Sequence, residues 1–489
     1  MFGVASRAAN PLRLAVVLPL LVLSSGCATA SAAFRAGPGG IPAEWALRDH
    51  LTYGRATSAW SAMGDKKVAP ADALLRAMYR GVIGLHAGEY SAGSRAMDRA
   101  WTLVDDRYSK RLSVGAASLV TSEATLPYYP GITERMFIPY YGALNWLARN
   151  ELDETAVEAR RLSALLAAEG DDQPPAELRG MLRYVSGVLF EAAGEQQDAM
   201  VAYRNAAALL GTLPGDTTVA GRDSGDVVVL IEEGFVGRPE PQNFGVYMNG
   251  DELVALTSGD DNGRLQLAQT LQRRHFDASF DRAQLGWLTY EVNWASFGEA
   301  SRIDGALAVR TTPSTATLAG ADVTAAVRAD FQRAMPAKLT RAIARSAVRW
   351  AATRAADRAF SDAAKKRGDD DDDSKGWGSF FVGLGLAAAT ITSAVIDQPD
   401  LRAWQLLPDR LSVARMRLPV GDHPIEVVRG DEVVSLGTVT VRPGGVAVLT
   451  HRWWPGPGRT IPTADPTGIP PGIPPGIPTA AQGVKVSAK

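Results

Sequence analysis

The feature that most constrains this chain is the stretch Gly187 to Ala206, GVLFEAAGEQQDAMVAYRNA. Gly187, Gly194, Ala199, Tyr203 and Ala206 recur at the spacing of two paired helices, in which small residues let the helices approach and the aromatic ring wedges between them. An earlier copy places Gly81, Gly88, Met97 and Ala100 at equivalent offsets, with Gly93 where alanine is usual. A third copy, around Ala143 to Arg160, is the weakest. It has Ala143 at the first site and Asn150 at the second, so neither glycine is kept, yet its helix ETAVEARRLSALL is well patterned for an amphipathic face.

These offsets are those of a tetratricopeptide repeat, so residues 42–215 are predicted to form a tetratricopeptide-like helical domain, with longer loops than a regular array has. Ordinary helical hairpins without repeat ancestry fit the same residues. Both readings give a short solenoid.

Beyond Gly211 the pattern breaks at Pro214, Gly215, Gly221 and Gly225, and residues 225–320 read as a mixed α/β section. Val227 to Ile231 is a buried-strand run. Phe244 to Met248 and Glu252 to Leu256 flank Asn249-Gly250 and suggest a hairpin, since Asn-Gly tolerates a type I′ turn. Ala306 to Arg310 and Thr315 to Leu318 suggest further strands. Residues 322–398 are expected to hold a helix pair. The first helix, Val323 to Lys366, has a break or kink at Pro336 and carries Arg341, Arg345 and Arg349 on one face, with Arg354 and Arg358 likewise four apart. An exposed acidic loop follows at Asp369 to Asp373.

Gly376 to Ile396 is uncharged and nearly long enough to cross a bilayer. Its Gly, Ala, Ser and Thr dilute the hydrophobicity, and a helix buried against the Arg-rich one is the preferred reading. Within residues 400–454 four short strands, at Arg415 to Leu418, Pro424 to Val428, Thr438 to Val441 and Val446 to His451, predict a small β domain. Residues 455–489 repeat Gly-Ile-Pro-Pro and read as an unstructured tail. The expected fold class is therefore α+β: an N-terminal helical-repeat array, a mixed middle section, a long helix pair and a small C-terminal β-sandwich.

At the N-terminus, Arg7 and Arg13 accompany the apolar run Leu14 to Leu23, which is too short to span a membrane. Residues 1–26 have the layout of a secretory signal, and 27–41 read as a linker. Ser24-Ser25-Gly26-Cys27, followed by Ala28, resembles the lipobox of bacterial lipoproteins, although that pattern prefers Leu where Ser24 stands. The resemblance implies a diacylglyceryl group on the Cys27 thiol and cleavage just before it. Ala28 in place of Asp implies outer-membrane sorting. Cys27 is the only cysteine in 489 residues, which excludes an internal disulfide framework. An incidental thiol beside ordinary cleavage at Ala28-Thr29-Ala30, or a retained apolar anchor, are the competing readings.

Chemistry-bearing patterns are few. A net charge of −2 gives no reason to expect a nucleic-acid partner. His50, His86, His275, His423 and His451 have no neighbours at ligand spacing. There is no phosphate-binding loop, nucleophile elbow or zinc helix. Asp260-Asp261-Asn262-Gly263 reads as a turn, because Ser258 and Gln269 would fall at calcium-ligand positions of an EF-hand. Glu232 and Glu233 are adjacent in a strand and point to opposite faces. No catalytic, cofactor-binding or metal residue is therefore expected, no cofactor is implied, and Cys27 is the one candidate site residue.

Glu134-Arg135, YYGALNWL from Tyr140 to Leu147, Glu158 to Arg161, and Asp400 to Trp404 with Pro408 resemble an uncharacterised family of bacterial tetratricopeptide-containing lipoproteins across roughly residues 40 to 450. His423 closes a phrase from Leu418 that resembles the PEGA modules of envelope proteins. The resemblance implies a surface or periplasmic lipoprotein, with no activity to carry over. The expected function is a non-catalytic adaptor or scaffold of the cell envelope. It would be held to the outer membrane through acylated Cys27, face the periplasm and present its helical-repeat surface to an unidentified envelope protein. The expected contact surface is a groove lined by the first helix of each hairpin, with Arg183 and Glu191 free to meet a ligand, unless later parts of the chain fill it. A membrane-inserted oligomer using residues 376–396 and an envelope enzyme without a recognisable motif are the alternatives.

Overall fold

The computed structural model describes residues 44–64, 68–110, 126–168, 172–248, 288–312, 314–343 and 399–456, together with isolated positions between 170 and 273. Two short helices, α1 (Glu44–Thr52) and α2 (Ala56–Met63), lead into three helical hairpins. These are α3 (Ala73–Ala87) with α4 (Tyr90–Lys110), α5 (Ile132–Ala148) with α6 (Leu152–Ala167), and α7 (Ala176–Ala192) with α8 (Gln196–Leu210).

The three hairpins share one turn. Gly88, Asn150 and Gly194 adopt positive φ of 81°, 60° and 82°. The next residue is glutamate each time, and its N–H reaches back to a carbonyl of the last helical turn: Glu89 to Gly84 at 2.8 Å, Glu151 to Trp146 at 3.0 Å, Glu195 to Phe190 at 2.9 Å. This is the Schellman arrangement, which satisfies carbonyls that a helix end leaves open. Asn150 thus stands where the other turns have glycine, and it is the only non-glycine residue with positive φ among the described residues. Gly93 also has a cause. A Cβ there would lie 2.1 Å from the side-chain oxygen of Asn145, whose amide donates to the carbonyls of Tyr141 (2.8 Å) and Gly81 (3.2 Å).

The strands are β1 (Ser224–Glu233), β2 (Pro239–Met248), β3 (Leu288–Phe297), β4 (Leu307–Arg310), β5 (Thr315–Thr317), β6 (Ala319–Asp322), β7 (Arg410–Pro419), β8 (Gly421–Arg429), β9 (Glu432–Val441) and β10 (Val446–Trp453). Helix α9, described over 323–343, follows β6. One sheet has the order β10-β1-β7-β6, and a second has β5-β4-β8-β9. The two share a core in which Val227, Val229, Ile231, Ala414, Met416 and Leu449 meet Val309, Ile425, Val427, Leu436 and Val441. On its other side the first sheet packs Val228, Leu230, Val413 and Val448 against the helices. The protein is α+β, with a helical layer, a sheet buried on both faces and an outer sheet. Because β1 is covered on both sides, it reads as a continuous apolar run instead of an alternating one.

Residues 225–320 and 400–454 interleave. β1 lies between β10, to which it is parallel, and β7, to which it is antiparallel, and β4 pairs with β8. The hairpin expected across Asn249-Gly250 is not the pairing found. β2 is antiparallel to β3, with Phe244 opposite Val292 and Met248 opposite Leu288, while Glu252 lies in a helical turn. β3 offers ten paired positions, more than the short run after the Asn-Gly pair could, and cross-strand side-chain pairs are what stabilise a ladder. α9 runs through Pro336 without interruption; proline removes one donor, and the helix continues past it. Residues 1–43, the apolar segment 376–396 and the tail from 457 lie outside the described residues. Among the described residues no helix is long and apolar enough to cross a membrane.

The Asn150 turn is testable. Replacement by glycine should leave stability unchanged or raise it slightly, whereas Asn150→Val should cost about 1–2 kcal/mol, the penalty for a β-carbon in the left-handed region. Urea unfolding of the two variants checks this.

Candidate functional site

The first helix of each hairpin is buried nearly all round. In α7, Leu178, Met181, Leu182, Tyr184, Val185, Val188 and Leu189 are all shielded from solvent; α3 and α5 follow the same pattern. A helix apolar on every side must be covered on every side, and here the first sheet and the segment 399–409 do the covering. The groove expected along these helices is therefore filled by the chain itself.

Polar groups on this interior face are knotted in three places. In the first, Arg415 of β7 makes a bidentate pair with Glu191 of α7 (2.8 and 2.9 Å) and reaches Asp226 of β1 with Nε at 3.1 Å and with Nη2. Tyr203 of α8 donates its hydroxyl to Glu191 at 2.6 Å. Burial, then the neighbouring Glu191 charge, pushes the Tyr203 phenol well above its ordinary range, which keeps it a donor. Burial opposes the charge on Arg415, but its hydrogen bonds to Glu191 and the charges around it outweigh that and hold it cationic. Arg417 extends the knot to Asp226 (3.0 Å) and Asp216 (2.6 Å). Glu191 is thus buried and paired, contrary to the expectation that it faces a ligand. Arg183 is half-buried and donates to the Leu166 carbonyl at 2.6 Å.

In the second knot, Arg452 of β10 donates to Glu232 (2.7 Å), Gly234 O (2.6 Å) and Leu406 O (3.1 Å). His86 of α3 has Nε2 3.8 Å from Glu232. Burial, and then the charges of Arg452 and His451, hold His86 well below the usual histidine range, so it is neutral. A cavity of about 20 Å³, lined by His86, Tyr140, Glu232, His451 and Arg452 among others, lies between these groups. That is room for one water, and His86 Nε2, Tyr140 Oη and Glu232 Oε1 have no protein partner.

In the third, Glu134 of α5 accepts from Tyr128 Oη (2.6 Å), Trp404 N (2.9 Å) and Gly131 N (3.3 Å). Arg402 bonds Asp400 (2.8 Å) and Asp72 (3.0 Å), and Tyr79 donates to the Ala403 carbonyl at 3.1 Å. The Trp404 ring, fully buried, lies 5.6 Å from that of Tyr141. The separate phrases Glu134, YYGALNWL and Asp400 to Trp404 therefore meet at one interface.

Cys27 lies outside the described residues. His86 and His451 come together at the cavity although nothing in their spacing suggested it; the usable signal was arginine placed inside strands, at Arg415 and Arg452. Glu232 and Glu233 do face opposite ways, toward Arg452 and toward Arg429. Among the described residues no cluster of three His, Cys, Asp or Glu is placed to hold a metal ion.

On the outer side, α3 and α4 form an open groove of about 480 Å³. Arg76 and Arg80 stand on one wall and Arg95 and Arg99 on the other, over a floor of Ala73, Ala77, Ala92 and Ala96, with Gly64 and Val68 at the rim. Arg76 and Arg80 bond the Gly64 carbonyl at 2.9 and 3.2 Å, and Arg80 lies over the Trp60 ring at 4.4 Å. Arg95 and Arg99 are exposed. No protein-family profile, curated protein or solved structure matches this chain.

Two outcomes follow from the knots. Glu191→Ala should destabilise the protein by about 3 kcal/mol, because it removes one of the two carboxylates around the buried Arg415 and the acceptor of the Tyr203 hydroxyl while Asp226 stays paired, whereas Arg183→Glu should cost about 1 kcal/mol; urea titration distinguishes them. For His86, the unfolded chain takes up a proton near pH 6.5 and the folded chain does so only at lower pH. Its contribution is present above pH 6.5 and is lost as pH falls below it, at up to ~1.4 kcal/mol per pH unit. A His86→Gln variant should show a flatter dependence of melting temperature on pH in that window.

Proposed function

We propose that the chain is a lipid-anchored, non-catalytic scaffold of the bacterial cell envelope, held at the outer membrane by acylated Cys27, facing the periplasm and offering its helical layer to an envelope protein. The observation that carries this reading is the N-terminal layout, a short apolar run ending in Ser24-Ser25-Gly26-Cys27 with the chain's only thiol. We read the three hairpins as a tetratricopeptide-like array and the two facing sheets as a sandwich. The common turn at Gly88, Asn150 and Gly194 supports the first, and the shared apolar core between the sheets supports the second. With the inner helices covered, the surface available to a partner is that of the second helices, where Val157 of α6 and Met200 and Val201 of α8 are 37%, 55% and 48% exposed.

Mass spectrometry of the mature N-terminus should find an acylated cysteine, since two or more acyl chains are needed for stable anchoring; an unmodified start at Ser31 would remove the basis of the proposal. Carbonate extraction should release a Cys27→Ser variant, and its retention would favour insertion through residues 376–396. A photo-crosslinking residue at Met200 or Val157 should capture the same envelope protein in intact cells, and capture from neither would count against the scaffold role.

A further inference from the structure

We infer that the cavity between α3, α5, β1 and β10 is the site of one ordered water molecule, which accepts from Tyr140, donates to Glu232 and His86, and so ties the helical layer to the first sheet. The walls bring together three polar atoms from three elements: Nε2 of His86 on α3, Oη of Tyr140 on α5 and Oε1 of Glu232 on β1. All three atoms are shielded from solvent, and none has a hydrogen-bond partner in the protein. Tyr140 is fully buried and Glu232 nearly so. A buried water makes about three hydrogen bonds. A volume of about 20 Å³ admits one such molecule and nothing larger.

The lining selects water over an ion. Oε2 of Glu232 already accepts from Arg452 Nη1 at 2.7 Å, so the charge of the carboxylate is matched. A cation in the cavity would meet Arg452, and an anion would meet Glu232. A neutral molecule that both donates and accepts suits both. Fully dry cavities, by contrast, are lined by apolar groups.

The direction of each hydrogen bond follows from the protonation of the walls. Burial, then the Glu232 charge, holds the Tyr140 phenol well above its ordinary range, so its hydroxyl donates. An ionised carboxylate can only accept. His86 is neutral, for the reasons given above, so one ring nitrogen carries the proton and the other accepts. Its Nε2 lies 3.8 Å from Glu232 Oε2, which is too far for a direct hydrogen bond. A proton on Nε2 would also leave one hydrogen of the water without an acceptor among the three atoms. His86 therefore carries its proton on Nδ1, and the water bridges Nε2 to the carboxylate.

The position of the site gives this water a further meaning. α3 belongs to the first hairpin, α5 to the second and β1 to the first sheet, so no single unit holds the water alone. It is enclosed when the layers meet, and its escape requires them to part. Its residence time therefore measures how often the interface opens and bares the apolar sides of α3 and α5.

The test uses the full chain with isotope-labelled histidine at neutral pH, and His86→Gln assigns the His86 signals among the five histidines. A long-range nitrogen–proton spectrum should show Nε2 of His86 unprotonated, and the ring protons should give a cross-peak to a long-lived water. Tyr140→Phe removes the donor and keeps the ring. It should abolish that cross-peak and leave circular dichroism unchanged. A proton on Nε2, or ring protons without contact to water, overturns the proposal, as does a cross-peak that survives in folded Tyr140→Phe. The spectra of the unaltered chain decide the first two outcomes by themselves, so the proposal can be refuted even if the Tyr140 variant does not fold.

Discussion

The register of β1 against its neighbours determines how the layers fit. Asp226, Val228, Leu230 and Glu232 face the helices, and Val227, Val229, Ile231 and Glu233 face the outer sheet. On the helical side each terminal acid meets an arginine from an adjacent strand, Arg415 for Asp226 and Arg452 for Glu232. Arg415 lies opposite Val228, and Arg452 opposite Glu232. A slip of one residue would turn Arg415 into the apolar space between the sheets, where no acid of β1 other than Glu233 waits and that one is occupied by Arg429. The buried charges therefore act mainly against wrong pairings; as ion pairs taken out of water they add less to net stability than their number suggests.

The same arrangement decides which surface is left for other molecules. A free-standing stack of helical hairpins would offer the inner helices, but Trp404 and the first sheet occupy that side. The outward faces of α4, α6 and α8 remain, together with the arginine walls between α3 and α4. The interior polar groups are engaged with one another and with a cavity that holds one water at most.

Local patterns were legible in the sequence. The helix spacing around Gly187 and Gly88, the apolar run of β1 and the strands at Leu307, Thr315 and Val446 all match elements found. Asn150, which in the sequence weakened the third copy, nonetheless takes the same left-handed turn as Gly88 and Gly194. What stayed hidden is long-range. The Asn-Gly pair at 249–250 promised a hairpin, but β2 found its partner in β3. Nothing near β1 announces that its parallel neighbour is β10. Glu191 was expected at the surface, and nothing marked Glu134 or Arg415 as buried, because the groups they meet come from distant segments. A sequence window sees the charge and not what neutralises it.

The parallel pairing of Asp226 with Val446 also sets an order of events as the chain matures. The hairpins close over short loops and need little time, whereas β1 must wait for a strand near the other end of the protein, and pairing across such a separation is slow. Until then α3, α5 and α7 are helices with their apolar sides uncovered. A chain threaded across a membrane from its N-terminus would pass through this stage on every synthesis, with its greasiest surfaces displayed in a crowded compartment. Its yield would then depend on holding chaperones as much as on the final stability of the fold.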